Sequence, residues 1–275
     1  MQLFTEARDL AGVHGCMFVP TMGALHEGHL SLIREARGRR NPFTRPRVVV
    51  SVFVNPTQFN DPKDLERYPR SLKHDLDRCE RAGAEVVFAP TVDEMYPPGE
   101  TVLVPSLPAV ATEPGLEDRL RPGHFAGVCQ VVKRLFDLTR PSAAFFGEKD
   151  WQQFRVISAM VEQERMGIEI VGVPTVREGD GLAMSSRNFF LKSHERTRAR
   201  ALSQALRVGA EIGVAREAER AMGGVLGEHA LETEYAVVRD ASTLMEYVPG
   251  RPGRALIAAR LGSVRLIDNA PWLGA

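Results

Sequence analysis

The chain has 275 residues, 44% hydrophobic and 25% charged, an ordinary balance for a globular protein with one large domain or two unequal ones. Basic and acidic residues number 35 each, so the formal net charge is zero, which disfavours a nucleic-acid binder with its basic excess or stripe. Cys16, Cys79 and Cys129 are widely spaced and form no CxxC, which excludes a disulfide framework and a cysteine zinc site and points to a reducing, cytoplasmic compartment. The opening MQLFTEARDL lacks an apolar signal core, and no apolar run approaches the roughly 18 residues that span a bilayer. A soluble protein with no membrane partner is expected.

In chain order, CMFVP (16–20) reads as a strand that ends in a Pro-Thr-Met-Gly turn. His26 and His29 follow where a helix over about 28–39 begins. Residues three apart on a helix lie about 60° from one another, so both imidazoles can face one ligand. Gly28 between them permits close approach, and unpaired N–H groups at a helix start favour an anion. NPFTRP (41–46) reads as an exposed loop without a function.

The strand RVVVSVFV (47–54) leads to Asn55 and Gln58, whose amides suit a substrate bearing hydroxyls and a carboxylate. YPRSLKHD (68–75) supplies Tyr68, Arg70 and Asp75 at the start of a helix over 71–82, either as a charged helix start or as contacts to magnesium ATP. AEVVFAP (84–90) is a further strand, and RPGHF (121–125) places Arg121 and His124 before a helix over 125–138 as weak candidates for an anion contact. AAFF (143–146) runs into FGEKD, which is either an ordinary turn with a surface lysine or a site where Lys149 reaches a phosphate as a point charge and Asp150 accepts from a sugar hydroxyl or caps the helix over 150–166. IEIVGV (168–173) closes the series.

These strands are unbroken in polarity, as in a parallel sheet buried on both faces, and their alternation with helices implies a doubly wound α/β domain. Ligands of such sheets bind beyond the strands' carboxyl ends, where Thr21 to His29, Asn55 to Gln58, Gly147 to Asp150 and Val173 to Val176 all fall.

The character changes near Pro174 to Arg177. GDGLAMSSRN (179–188) packs glycines, hydroxyls and an arginine into a turn that either caps the next helix or grips phosphate. Residues 193–231 read as two helices; TEYAVVRD (233–240), RALIAARL (254–261) and SVRLIDN (263–269) read as a small, mostly antiparallel sheet with a tight Leu-Gly-Ser turn. There is no P-loop, no GxGxxG after a strand, no GxSxG, and HEGH is not HExxH.

The set PTMGALHEGH, VNPTQF, YPR, RPGHF, GEKDWQQ, VGVPTVRE, DGLAMSSRN and RLIDN, in this order from Phe18 to Asn269, resembles the pantothenate synthetase (pantoate–β-alanine ligase) family. That family is related to class I aminoacyl-tRNA synthetases, with HEGH at the place of HIGH and MSSR at that of KMSKS. The resemblance implies a Rossmann-like doubly wound domain over residues 1–175 that binds ATP and pantoate, and a smaller C-terminal α+β lid over 176–275. It also implies a cytoplasmic homodimer that uses ATP with Mg²⁺, makes pantoyl adenylate and pyrophosphate, and transfers the pantoyl group to β-alanine to give pantothenate and AMP.

Carried over by position, the ATP contacts are Met22, Gly23, Ala24, Leu25, His26, Glu27, Gly28, His29, Gly147, Glu148, Lys149, Asp150, Val176, Met184, Ser185, Ser186 and Arg187. Gln58 and Gln153 hold pantoate, with Gln58 beside the β-alanine path and Asn55 and Arg121 completing the substrate set. His29 is the implied proton donor, with His26, Lys149, Ser185, Ser186 and Arg187 as further catalytic donors and no protein metal site. Trp151 replaces the family's Phe or Tyr, and His74 and Arg78 stand where some members carry acidic or amide residues. A nucleotidyltransferase that stops at a nucleotide product and a nucleotide sensor without turnover are the alternatives.

Overall fold

Six short strands build the larger sheet: β1 (Gln2–Phe4), β2 (Met17–Thr21), β3 (Val48–Val52), β4 (Val86–Phe88), β5 (Ala143–Gly147) and β6 (Glu169–Val173). The computed structural model describes residues 1–40, 43–59 and 62–274. Asn41 and Pro42 of the expected exposed loop, and Asn60 at the end of SVFVNPTQFN, lie outside the described residues. Every strand pair is parallel and the order is β1-β4-β3-β2-β5-β6.

The order reverses between β2 and β5, which pair through Met17–Ala143 and Phe18–Ala144. This is the topological switch point at which open α/β sheets bind ligands, and the HEGH segment leaves β2 there.

Helices α1 (Glu27–Gly38), α2 (Pro62–Arg67), α3 (Leu72–Ala82), α4 (Val92–Met95), α5 (Glu117–Leu120), α6 (His124–Thr139) and α7 (Trp151–Gln163) fall between the strands. Val19, Val48 and Val50 pack with Leu32, Ile33 and Ala36 of α1 and Cys79 of α3 on one face. On the other, Phe18 meets Phe136 of α6 edge-on at 6.2 Å, and Phe136 meets Phe146 at 6.5 Å. Strands β2, β3 and β5 are therefore covered on both sides, which is why the sequence shows continuous apolar runs there. The three cysteines are free and buried, and burial pushes their thiols up to about 12.

The chain divides into two compact units, one of Met1–Glu148 with Val156–Pro174 and one of Lys149–Arg155 with Thr175–Ala275. Unlike a contiguous 1–175 domain, the start of α7 groups with the C-terminal residues. The second unit contains α8 (Ser193–Ala199), α9 (Ala201–Ala210), α10 (Ala215–Glu228) and an antiparallel sheet β7-β8-β9 of Glu232–Asp240, Gly253–Leu261 and Val264–Trp272. Its core joins Leu202, Leu206, Met222 and Leu226 to Ile257, Leu261, Leu266 and Trp272. The Trp272 indole N–H donates to the carbonyls of Gly209 and Ile212, satisfying the open end of α9.

The doubly wound parallel sheet and the smaller antiparallel C-terminal part agree with the sequence reading. Three details differ. Strand β1 was not anticipated, since three half-exposed residues carry no pattern. The helical stretch after 193 holds three helices, with a break at Arg200 between α8 and α9. Strand β9 runs past Asn269 through Pro271 to Trp272, tolerated because it is an edge strand.

Candidate active site

The turn after β2 is built by contacts from elsewhere in the first unit. Thr21 donates its hydroxyl to the Ser51 carbonyl at 2.6 Å and accepts from the Gly23 N–H. Gly23 and Ala24 both adopt positive φ, +78° and +49°. The buried Asp75 of α3 holds this strained pair, one carboxylate oxygen accepting from the Ala24 N–H at 3.0 Å and the other from Leu25 at 2.8 Å. A Cβ on Gly23 would sit 2.9 Å from that carboxylate, so the site requires glycine for space as well as for φ. One helical turn on, Arg78 donates to the Leu25 carbonyl. Asp75 and Arg78 thus grip both sides of Leu25 from one face of α3.

His26 is the N-cap of α1 and His29 its third residue. The Gly28 N–H donates to His26 Nδ1 and the His26 N–H donates to His29 Nδ1, both at 3.2 Å, with ring centroids 4.1 Å apart. This is a capping box made of two imidazoles. Because each Nδ1 accepts, each ring proton sits on Nε2, so both histidines are Nε2–H donors.

The expectation of unpaired backbone N–H groups at this helix start is corrected. Those of Gly23, Ala24, Leu25, His26, Gly28, His29 and Leu30 all donate within the chain.

Gln58 is buried at the end of a 3₁₀ turn over Pro56–Gln58, and its amide donates toward Met22 Sδ. Asn55 is buried deeper, and its amide gives N–H bonds to the Gly127 carbonyl at 3.1 Å and to Gln58 Oε1 at 3.4 Å. Its oxygen accepts from Tyr96 at 2.9 Å and from the N–H and hydroxyl of Thr57. Asn55 is therefore engaged in orienting Gln58. Gly127 lets the turn lie against α6, since a Cβ there would meet the Thr57 carbonyl oxygen at 2.4 Å.

His124 opens α6, buried, with one nitrogen 3.0 Å from the Gln58 carbonyl and the other 3.0 Å from Arg121. Arginine only donates, so Nε2 accepts and Nδ1–H donates to that carbonyl. Arg121 accordingly gives one N–H to His124 and lies 3.8 Å from the buried Glu117.

Glu148–Asp150 form a 3₁₀ turn with Lys149 Nζ 3.8 Å from Asp150, and in the second unit Gln153 lies half-buried on the first turn of α7. Val176 accepts from the Met184 N–H, and Arg177 bridges Ala183, so residues 176–184 form a small hairpin. Ser185 accepts from the Arg187 N–H and caps the 3₁₀ turn over Ser186–Phe190. Asn188 ties that turn to Glu178 and to the Ala183 carbonyl.

Sequence reasoning missed the clamp by Asp75 and Arg78, the Tyr96 contact to Asn55, and the Asn269 contact to the Lys149 carbonyl. None has a local signal, because the partners are far apart in the chain.

Residues 2–271 match the family of pantoate–β-alanine ligases. The chain belongs to that family. It is 51% identical over 265 residues to pantothenate synthetase of Rubrobacter xylanophilus, covering 92% of this chain and 89% of that one. With pantothenate synthetase of a Nocardioides species it shares 49% identity over 93% of this chain and 78% of that one. Among solved structures, pantothenate synthetase from Thermus thermophilus superposes with a TM-score of 0.90 at 41% identity, covering 98% of this chain and 99% of that one. A pantoate–β-alanine ligase from Francisella tularensis, complexed with β-γ ATP and β-alanine, superposes with a TM-score of 0.78 at 31% identity over 98% and 97% of the two chains.

Proposed function

We infer that this chain condenses pantoate with β-alanine at the expense of ATP. The pantoate carboxylate attacks the α-phosphorus and pyrophosphate leaves. The β-alanine amine then attacks the acyl carbon of pantoyl adenylate, loses a proton, and AMP departs with the C–O bond electrons. The observation that carries the reading is the His26–His29 cap at the switch point of a chain that matches the ligase family from residue 2 to 271. Adenylation needs alignment and stabilisation of charge growing on phosphate oxygens, and two fixed Nε2–H donors supply that.

The roles carried over from the resemblance complete the proposal. Residues 22–29, Gly147 to Asp150, Val176 and Met184 to Arg187 contact ATP, while Gln58 and Gln153 hold pantoate. Asn55 acts by orienting Gln58. Mg²⁺ enters with ATP as part of the substrate: Asp75, the carboxylate considered for it, already accepts from Ala24 and Leu25. Among the described residues no group of three His, Cys, Asp or Glu is placed to hold a metal by itself.

Residues 1–175 are proposed as the catalytic domain and 176–275 as a lid. Its loop should show slower hydrogen exchange over 179–188 when ATP binds, and unchanged exchange would contradict the lid role. A cytoplasmic homodimer is proposed from the resemblance, with exposed Leu103 and Val104 as candidate contact residues and sedimentation as the test. No described helix is long and apolar enough to cross a membrane.

The function is tested by product stoichiometry with ATP, pantoate and β-alanine together. One AMP and one pyrophosphate per pantothenate are expected. Release of ADP and phosphate would refute the acyl-adenylate route.

A further inference from the structure

The RLIDN segment ends in two consecutive polar residues, Asp268 and Asn269, that lie in β9 with 2% and 4% exposure. Burying a carboxylate and an amide in a small sheet is costly unless both are fully bonded. They are bonded to two different segments of the second unit.

Asn269 donates from Nδ2 to the Lys149 carbonyl at 2.7 Å and accepts at Oδ1 from Arg254 Nε at 2.7 Å. The amide orientation is forced, since arginine only donates and a carbonyl only accepts. The same guanidinium lies 3.7 Å from the centroid of the Trp151 ring, whose indole N–H donates to the Ala241 carbonyl at 3.0 Å. Arg254 is itself buried, so the cation–π contact is desolvated and at the strong end of its range. The Lys149–Trp151 segment is thus held through the Lys149 carbonyl by the antiparallel sheet and through the Trp151 side chain by Arg254 and the β7–β8 connection.

Asp268 takes Arg177 in a two-pronged ion pair at 2.7 and 2.9 Å. Arg177 also donates to the Gly181 carbonyl at 3.0 Å and bridges Ala183, at the root of the hairpin that leads to Ser185–Arg187. Asp268 Oδ1 further accepts from the Asn269 N–H at 2.8 Å, so the two side chains form one network.

We propose that Asp268 and Asn269 are positioning residues that tie the Lys149 turn and the Arg177–Arg187 hairpin into one rigid body. The antiparallel sheet then serves as scaffold for both nucleotide-contacting segments, which keep a fixed spacing. This rests on the assignment of Lys149 to ATP. It also gives Trp151 a task, since an indole combines a wide face for Arg254 with an N–H for Ala241.

The test is pantoate-dependent ATP–pyrophosphate exchange on Asn269→Asp, Lys149→Ala and the double variant, with thermal melting on each. Asn269→Asp keeps the size and the acceptor for Arg254 but sets an oxygen against the Lys149 carbonyl. Exchange should fall by roughly 100-fold, as a shift of about 1 Å at a reacting centre produces. KM for ATP should rise and KM for pantoate should stay unchanged. In the Lys149→Ala background the same substitution should change exchange by no more than about two-fold. Equal losses in both backgrounds, or none in the first, would overturn the inference. Normal exchange in Lys149→Ala would instead overturn the site assignment and the inference with it. If Asn269→Asp melts below the assay temperature, Asn269→Ala enters the same cycle with the same expectations.

Discussion

His26 and His29 close the first turn of α1 for each other, each Nδ1 accepting a backbone N–H at 3.2 Å. The two rings are thereby locked in one tautomer, with the ring proton of each on Nε2. In the proposed reaction the pair would act by fixed hydrogen-bond donation to charge that develops during adenylation.

His29→Ala should lower adenylation by roughly 10²- to 10³-fold, the scale of an oxyanion-type donor. Pantoate-dependent exchange at saturating ATP and pantoate measures it, with circular dichroism confirming the fold. Turnover comparable to the parent would remove His29 from the chemistry.

Asp75→Asn should act on the same step from a distance. The carboxylate accepts from two adjacent N–H groups, whereas an amide must turn its NH₂ against one of them. We expect a loss of about 1–3 kcal/mol in stability, read by denaturant unfolding, and slower exchange as the Gly23–Ala24 turn relaxes. A variant of parental stability and rate would show that the turn holds itself.

Lys149→Arg should behave like Lys149→Ala in exchange although it keeps the charge. The chain uses arginine for all but five of its 35 basic residues, so a lysine here marks a site that takes a narrow ammonium. The Lys149 side chain is mostly buried, 3.8 Å from Asp150, leaving little room for a planar guanidinium. Near-parental exchange in the arginine variant would show that charge alone suffices.

Acid stability should depend on Asp240. Burial pushes its carboxyl up, but hydrogen bonds from the Ser242 hydroxyl and the N–H groups of Thr243 and Ser242 outweigh this and hold it at about 2, against an ordinary 3.8. A depressed carboxylate stabilises the fold above its ordinary range, and the contribution is lost as pH falls through about 4 towards 2. Asp240→Asn should therefore cost on the order of 2 kcal/mol at neutral pH, with the difference from the parent closing in acid. A constant difference across that range would contradict it.

The large sheet was legible because Val48–Val50 and Ala143–Phe146 are buried on both faces and leave unbroken apolar runs. Strand β1 and the extension of β9 through Pro271 were not, since short edge strands are fixed by their neighbours more than by their own residues. The histidine spacing pointed to one ligand face, but not to how the helix-end donors are spent. That depends on Asp75 and Arg78, which reach the turn from α3. RLIDN was visible as a motif, yet the task of Asn269 appears only when Lys149 and Arg254 are brought to either side of its amide.

In the proposed reaction, adenylation of pantoate precedes the arrival of the amine and is independent of it. ATP–pyrophosphate exchange, measured with pantoate present and β-alanine withheld, tests it most directly. Rapid exchange is expected, and it should stop when pantoate is omitted. Exchange without pantoate would indicate a different acceptor for the nucleotide. No exchange until β-alanine is added would contradict a free-standing pantoyl adenylate.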